Sequence, residues 1–597
     1  MSNPSVSQAS PTTQASHPTI QLPQSVRRDV LEYRSRVDAF LRGDTPAVAF
    51  RGYRVPMGIY EQRTPGRYMV RVRIGAGIVV PRQLRRIAQL SKAHGNGILH
   101  VTTRQDVQIH DISIEDTAAV LEGLLEEGLS SRGGGGNTVR NISACPRSGI
   151  CAREWYDVAP YAIALAEYLL QHKGSFNLPR KYKIAFAGCS EDCALASVAD
   201  LGFFAQVRDG RRGFSVYAAG GLGSEPRAGM RIEEFVAPED VFEVAEAVRR
   251  LFDKHGDRAN KQRARLRHVL GRIGEEQFKL LYQSERTALR REGLPGVVPR
   301  IRTTEPEIAG RRNEVIVPST FSTSRVLSEK EPGKVTIRLR LALGEIPADD
   351  LAAVAQVAEE YGAGTVRTTQ LQDLLIPGVP IEHACAALES LKGLAVEAGG
   401  PKIVTCTGAS TCKLGLCLSK ELARAISRRF QQRGIDIDGS VTVIRVSGCP
   451  NGCGGHHVAE IGLEGAARRV HGRLMPHYTV LAGGHPSGEG ARLAERIATV
   501  PAKRIPDLLA AAANDGVIDA DKVRALAPSY EALPGEVPED YYRDFGSEEA
   551  FSLAGRGPGE CGAGVLDVIR VDIQEAKDAL DSARAASSSV DCPGDVG

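Results

Sequence analysis

The chain has 597 residues, of which 42% are hydrophobic and 25% charged, a composition that fits a globular protein of several domains and excludes a disordered or fibrous one. Its 75 basic and 72 acidic residues leave a formal net charge of +3, so neither nucleic acid nor a membrane surface is an expected partner, and any anion site must be local. No run reaches the roughly 18 apolar residues of a membrane span and no secretory leader opens the chain, so a cytoplasmic protein with reduced thiols is expected.

Residues 1–27 are rich in Ser, Pro, Thr and Gln and read as a disordered tail. A small α+β unit is expected over 50–130: an alternating strand from Tyr68 to Ile74, a helix from Pro81 to His94 with proline in its first turn, then a second strand through "ILHVTTRQDVQIHDI". A larger α/β unit follows at 135–275, and a linker, Pro/Arg-rich after Gly293, at 276–330. The pattern then repeats. "KVTIRLRLALG" at Lys334, a helix over 349–361 and "GTVRTTQLQDLLIPGV" make a second small unit at 331–395, and a second larger unit occupies 396–515. In the extension 516–597, "GVLDVIRVDIQEAKDALDSARAA" has helical apolar spacing.

The cysteines carry the strongest chemical signal. Cys406 and Cys412 have five residues between them, Cys449 and Cys453 have three, and the stretch between the pairs is long enough for a helix and a strand that return the chain to the same end of a sheet. Four thiolates brought together this way suit a [4Fe–4S] cluster, and the glycines and proline of "GCPNGCGG" allow close backbone approach with N–H groups turned to sulfur. Cys145, Cys151, Cys189 and Cys193 repeat both spacings in the first half, so eight of the twelve cysteines obey one rule. Two structural zinc sites are the competing reading, though the five-residue gap is wide for zinc. Cys385 and Cys417 read as buried packing residues in helices, Cys561 as a loop thiol, and Cys592 as part of the tail. His456 and His457 carry no assignment.

"CTGASTC", "SGCPNGCGG", "TTRQDVQIH", "LPRKYK" and "VRNISAC" together resemble the sirohaem-dependent sulfite and nitrite reductase family. The resemblance implies an α/β (α+β) fold of two pseudo-symmetric halves, each a ferredoxin-like half-domain joined to a mixed-sheet domain for sirohaem and a [4Fe–4S] cluster. It implies that Cys406, Cys412, Cys449 and Cys453 hold the cluster, that Cys453 also places its sulfur on the sirohaem iron, and that Asn451 lies against the macrocycle. Arg104, Arg140, Lys181 and Lys183 would occupy the anion-binding positions. Guanidinium groups give fixed donors to an oxyanion, and lysines beside other cations release protons readily. No flavin or nicotinamide motif is evident, so electrons would arrive from an external donor such as ferredoxin. Six-electron reduction of sulfite is the reading taken from "CPNGCGG", with nitrite, towards which "CTGASTC" leans, as the alternative and a haem-free electron-transfer protein as a distant third.

Aligning the halves on their cysteines sets Leu371 opposite Arg104, Pro401 opposite Arg140, and Val441 and Val443 opposite Lys181 and Lys183. The thiols are duplicated while these cations are not. A second, catalytically silent cofactor site at Cys145, Cys151, Cys189 and Cys193 is therefore one reading; vestigial cysteines, or a cluster without a tetrapyrrole, are the others. Assimilatory members of the family usually lack the first-half set, which resembles the dissimilatory sulfite reductases, where one of two related sites is inactive.

Overall fold

The computed structural model describes residues 19–303, 324–394, 400–437, 442–533, 535–557 and 560, with scattered positions between 573 and 584. The two small units form two five-stranded sheets, and each sheet is completed by a strand from the other unit. Strand Tyr68–Val72 pairs with Ile59–Glu61 and Val107–Ile112, and the row continues through Ile98–Val101 to Glu345–Pro347, which belongs to the second unit. The second sheet runs Val326–Ser328, Lys334–Leu339, Leu374–Pro380 and Val366–Thr368, then ends on Ile78–Val79 of the first unit. Helices Pro81–His94 and Ala348–Glu360 lie side by side on these sheets, joined at their rims by Arg85–Glu359 and Lys92–Asp349 ion pairs. Their inward faces, Leu84 and Ile87 on one and Leu351 and Val354 on the other, belong to one apolar core shared by both units. Each such side chain stabilises the fold by about 1.5–3 kcal/mol through burial, so the units share stability as well as strands.

Both expected helices form within a residue of their predicted bounds, but the long strand "ILHVTTRQDVQIHDI" does not. It is a hairpin, with strands Ile98–Val101 and Val107–Ile112 and a turn at Thr102–Asp106 that holds Gln105 at φ 63°. Thr102 Oγ1 makes the turn by accepting from the backbone N–H groups of Arg104 and Asp106. The second copy repeats it: Gln372 has φ 62°, and Thr369 Oγ1 accepts from Leu371 and Asp373. Arg104 thus projects from a turn, not from a strand.

The two larger units are mixed sheets. In the first, strands Ser143–Ala144, Ile184–Ala187 and Leu201–Arg208 run parallel before two antiparallel strands, Arg211–Ala218 and Met230–Val236. In the second, Lys402–Thr405, Val443–Ser447 and Ile461–Val470 do the same before Arg473–Ala482 and Glu495–Pro501. Helix Ser419–Gln432 and strand Val443–Ser447 fill the gap between Cys412 and Cys449, as the spacing predicts.

Several boundaries differ from the sequence reading. Helix Gln24–Leu41 begins inside the expected 1–27 tail, and its Val30, Tyr33 and Val37 join the shared core. The expected linker 276–330 opens within the 18-residue helix Glu275–Glu292, which packs on helix Val241–His255 through Phe278, Tyr282 and Leu289. Cys385 is exposed rather than buried, because helix Ala384–Ser390 buries Ala384 and Ala387 instead. Cys417 is buried as expected but precedes its helix, its thiol donating to the Ala466 carbonyl. The C-terminal helical stretch, Cys561 and Cys592 lie outside the described residues, apart from those scattered positions. No helix among the described residues is long and apolar enough to cross a membrane.

Before that point the extension docks on the second larger unit through Asp544, whose carboxylate accepts from the backbone N–H of Leu418 and of Phe545. Burial pushes the Asp544 carboxyl up to about 6. A carboxyl raised in the folded state binds its proton there before the unfolded chain does, so its contribution favours folding at low pH and is lost as pH rises towards about 6. Asp544→Asn is expected to flatten this part of the stability profile, which thermal melts at half-unit steps from about pH 3.5 to about pH 6.5 would register.

Candidate active site

Both cysteine pairs of the second half sit at the carboxyl ends of neighbouring parallel strands: Cys406 follows Lys402–Thr405 and Cys449 follows Val443–Ser447. Glycines let the loops close on each other. A side chain at Gly448 would reach within 2.7 Å of the Cys417 carbonyl oxygen, and one at Gly454 within 2.1 Å of that of Val446. Sulfur already receives donors: Gly448 N–H to Cys406 Sγ at 3.2 Å and Asn451 Nδ2 to Cys449 Sγ at 3.4 Å. Burial, followed by the nearby charges of Cys453 and Cys406, pushes the Cys449 thiol up to about 12, with Cys412 adding to the same field. Yet among the described residues no three cysteine sulfurs lie within 4.8 Å of one another. Zinc at about 2.3 Å from each sulfur would draw the thiolates to about 3.8 Å from one another, whereas a [4Fe–4S] core is held by four thiolates set around a larger body.

The first half supplies the basic residues. Thr103, in the hairpin turn, donates from Oγ1 to the Cys453 carbonyl at 2.9 Å, which seats the turn directly on the last cysteine of the second half. Arg104, next along, donates from Nη2 to the Asn141 carbonyl at 2.5 Å, and Asn141 returns a bond from Nδ2 to the Arg104 carbonyl. Arg140 is buried, with Nη1 on the Gly134 carbonyl and Nη2 on the Gly136 carbonyl and the Tyr60 hydroxyl. Lys181 and Lys183 flank Tyr182 just before strand Ile184–Ala187. The Lys183 backbone N–H donates to Asp200, whose carboxylate takes two bonds from Arg265. Burial, then the charges of Arg104, Lys181 and Arg265, hold the Lys183 ammonium well below the usual lysine range. Burial also lowers Arg104 to about 10, with Asp106 and Asp200 opposing the shift.

Other cations belong to this cluster and were not singled out in the sequence. Arg71 and Arg73 alternate along strand Tyr68–Val72 and its exit; the charges of Arg71, Arg73, Arg104 and Arg140 all bear on the buried Asp106, whose carboxyl is nonetheless raised by burial. Arg267, beside Gly223 and near the Asn451 backbone, is lowered to about 10, chiefly by burial. An alternating Arg in a strand looks like a solvent-facing residue, and only the tertiary fold shows that this face meets the other half. His456 and His457 are likewise buried, their Nε2 atoms 3.1 Å apart, with His456 Nε2 3.0 Å from Glu464.

The first-half cysteines occupy matching places. Cys145 follows strand Ser143–Ala144 and Cys189 follows Ile184–Ala187. Cys145 N–H donates to the Phe186 carbonyl as Cys406 N–H does to Val446, and Cys151 N–H to Arg147 as Cys412 N–H does to Gly408.

A thiol set at strand ends, joined to a cluster of buried cations, is the equipment of an iron–sulfur oxidoreductase acting on a small anion. Residues 135–288 match the nitrite and sulphite reductase 4Fe-4S domain, and residues 60–127 and 328–394 match the nitrite/sulfite reductase ferredoxin-like half domain. The assimilatory ferredoxin-dependent nitrite reductase of Haloferax mediterranei is 30% identical over 485 residues, covering 76% of this chain and 80% of that protein. The ferredoxin–nitrite reductase of Synechococcus elongatus is 31% identical over 458 residues, covering 75% and 85%. The NirA protein of Mycobacterium tuberculosis has the same fold, with a TM-score of 0.67 at 22% identity over 81% of this chain and 92% of that one. The chain belongs to the nitrite and sulphite reductase family and is an enzyme of that family, with sirohaem and a [4Fe–4S] cluster as its cofactors.

Proposed function

We propose that the protein reduces nitrite to ammonium, taking six electrons from ferredoxin and eight protons, and releasing two waters. The names borne by the relatives move the reading from sulfite, the first expectation, to nitrite. The single observation that carries the site is the bond from Thr103 to the Cys453 carbonyl, because it brings first-half cations to second-half thiols.

Cys406, Cys412, Cys449 and Cys453 would hold the cluster, and Cys453, the one exposed cysteine of the four, would face the sirohaem. The residues present fit a polycarboxylate macrocycle. Arg71, Arg104, Arg140 and Arg267 each keep a buried Nε without a hydrogen-bond partner, and buried donors of this kind call for an anionic guest. When bound, sirohaem supplies the iron at which the nitrogen is reduced and to which the cluster passes electrons. Arg104 and Arg140 hold the oxyanion by fixed, charge-assisted donors; Asn451 orients the cofactor from the cysteine loop. Lys181 and Lys183 donate protons to the departing oxygens, and the lowered pKa of Lys183 eases that transfer. Asp200 is a positioning residue, fixing the Lys183 backbone while Arg265 fixes Asp200.

Steady-state assays with a reduced viologen dye test the substrate. The expected kcat/KM for nitrite exceeds that for sulfite by at least about tenfold, a ratio within reach of contact differences at one anion site. A ratio below one assigns the enzyme to sulfite.

A further inference from the structure

We propose that Cys145, Cys151, Cys189 and Cys193 hold a second iron–sulfur cluster, one with no tetrapyrrole above it. This goes beyond the nitrite-reducing site, which uses only the second-half thiols. Position is the first argument. The first-half thiols stand at the carboxyl ends of the two corresponding parallel strands of their own sheet, with the same pair of backbone bonds as the second-half set. The four are neighbours, since Cys145 feels Cys193, Cys151 and Cys189 at close range. The correspondence extends to sulfur donors: the backbone N–H of Glu191 reaches Cys189, as that of Asn451 reaches Cys449. Cys145, Cys151 and Cys189 are buried while Cys193 is exposed, echoing Cys449 and Cys453. Cys145 and Cys193 lie within hydrogen-bond reach of each other, and no three of these sulfurs lie within 4.8 Å of one another. The 4Fe-4S domain match itself falls over these residues, at 135–288.

Polypeptide packs against this set at three places. Where Thr103 seats the first-half turn on the Cys453 carbonyl, the corresponding Gln370 donates from Nε2 to the Ala144 carbonyl, beside Cys145. Arg367 donates to the Ser148 carbonyl, inside the Cys145–Cys151 loop. The Gly488 N–H donates to the Ser190 carbonyl, inside the Cys189–Cys193 turn. The cations are also spent. Arg338, which occupies the place of Arg71, gives two bonds to Asp373, and Lys402 lies 2.6 Å from the same carboxylate. Leu371 and Pro401 stand where Arg104 and Arg140 do. The positions that supply Arg104 and Arg140 in the first half thus carry no cation here for a polycarboxylate macrocycle.

Iron, acid-labile sulfide and extracted sirohaem are measured on protein purified without oxygen. Two [4Fe–4S] clusters and one sirohaem give about nine irons and eight sulfides per sirohaem. About five irons and four sulfides per sirohaem overturn the proposal, as does about one zinc per chain in place of the extra iron. In a Cys151→Ser, Cys189→Ser double variant, iron and sulfide are expected to fall by about four each while the sirohaem absorbance stays; unchanged iron in that variant also overturns it. The ratio in the unmodified protein stands even where the variant fails to fold. Protein with about eight irons but no sirohaem would sink the nitrite reductase reading and uphold this one.

Discussion

Replacing Lys183 with alanine is expected to lower kcat for nitrite by about 10²–10⁴-fold, the usual range for loss of a positioned proton donor. The sirohaem spectrum should persist, because the cluster ligands and the arginines are untouched. Lys183→Arg separates charge from proton transfer: it keeps a cation in the pocket but gives up its proton far less readily. Only the protonated amine donates, so the parent's activity should fall as pH rises through the lowered pKa of Lys183. That alkaline limb should be absent from Lys183→Arg, whose rate is low throughout. A pH profile of kcat/KM from pH 6 to pH 10 decides the point, and a limb unchanged in the arginine variant would remove Lys183 from the proton path.

The largest stability effect is expected at Asp373. It is fully buried between Arg338 and Lys402, and Lys402 also donates to the Leu341 carbonyl. Asp373→Ala leaves two buried cations without their anion, a change that costs about 3–5 kcal/mol. Asp373→Asn keeps an acceptor and should cost less. Urea denaturation followed by far-UV circular dichroism compares the three proteins. Asp106, the same position in the first half, provides the contrast, since its Oδ1 is buried without a partner and the nearby arginines act on it through the field alone. One copy of the repeat closes its ion network; the other leaves it unsatisfied, where an anion is to bind.

Much of this was legible in the sequence because it rests on local rules. The helix over Pro81–His94 announces itself by proline in the first turn and by Leu84, Ile87 and Leu90 on one face. The cysteine spacing reveals two equivalent sets because loop length at the end of a parallel strand is a short-range property. The hairpin at Thr102–Asp106 was not legible, since its left-handed residue is Gln105 and no glycine marks the turn. Gln105 is held there by distant partners, donating from Nε2 to the Thr368 carbonyl and accepting from the Ala144 N–H. Arg71, Arg73, Arg265 and Arg267 escaped notice for a related reason. Their membership in the site depends on which faces meet across the molecule: alternation at Arg71 and Arg73 looks the same whether the outer face meets water or another domain, and Arg265 and Arg267 stand at the start of helix Leu266–Ile273 in a run of basic residues.

The reciprocal strands Ile78–Val79 and Glu345–Pro347 bear on the history of the chain. A symmetric dimer that trades edge strands would have this topology once its two subunits were covalently joined. In such a dimer any change at one site is made at the other as well, so an inert site can arise only by losing the active one. Joining the subunits lifts that coupling. Arginine can then persist at 104 while leucine takes 371.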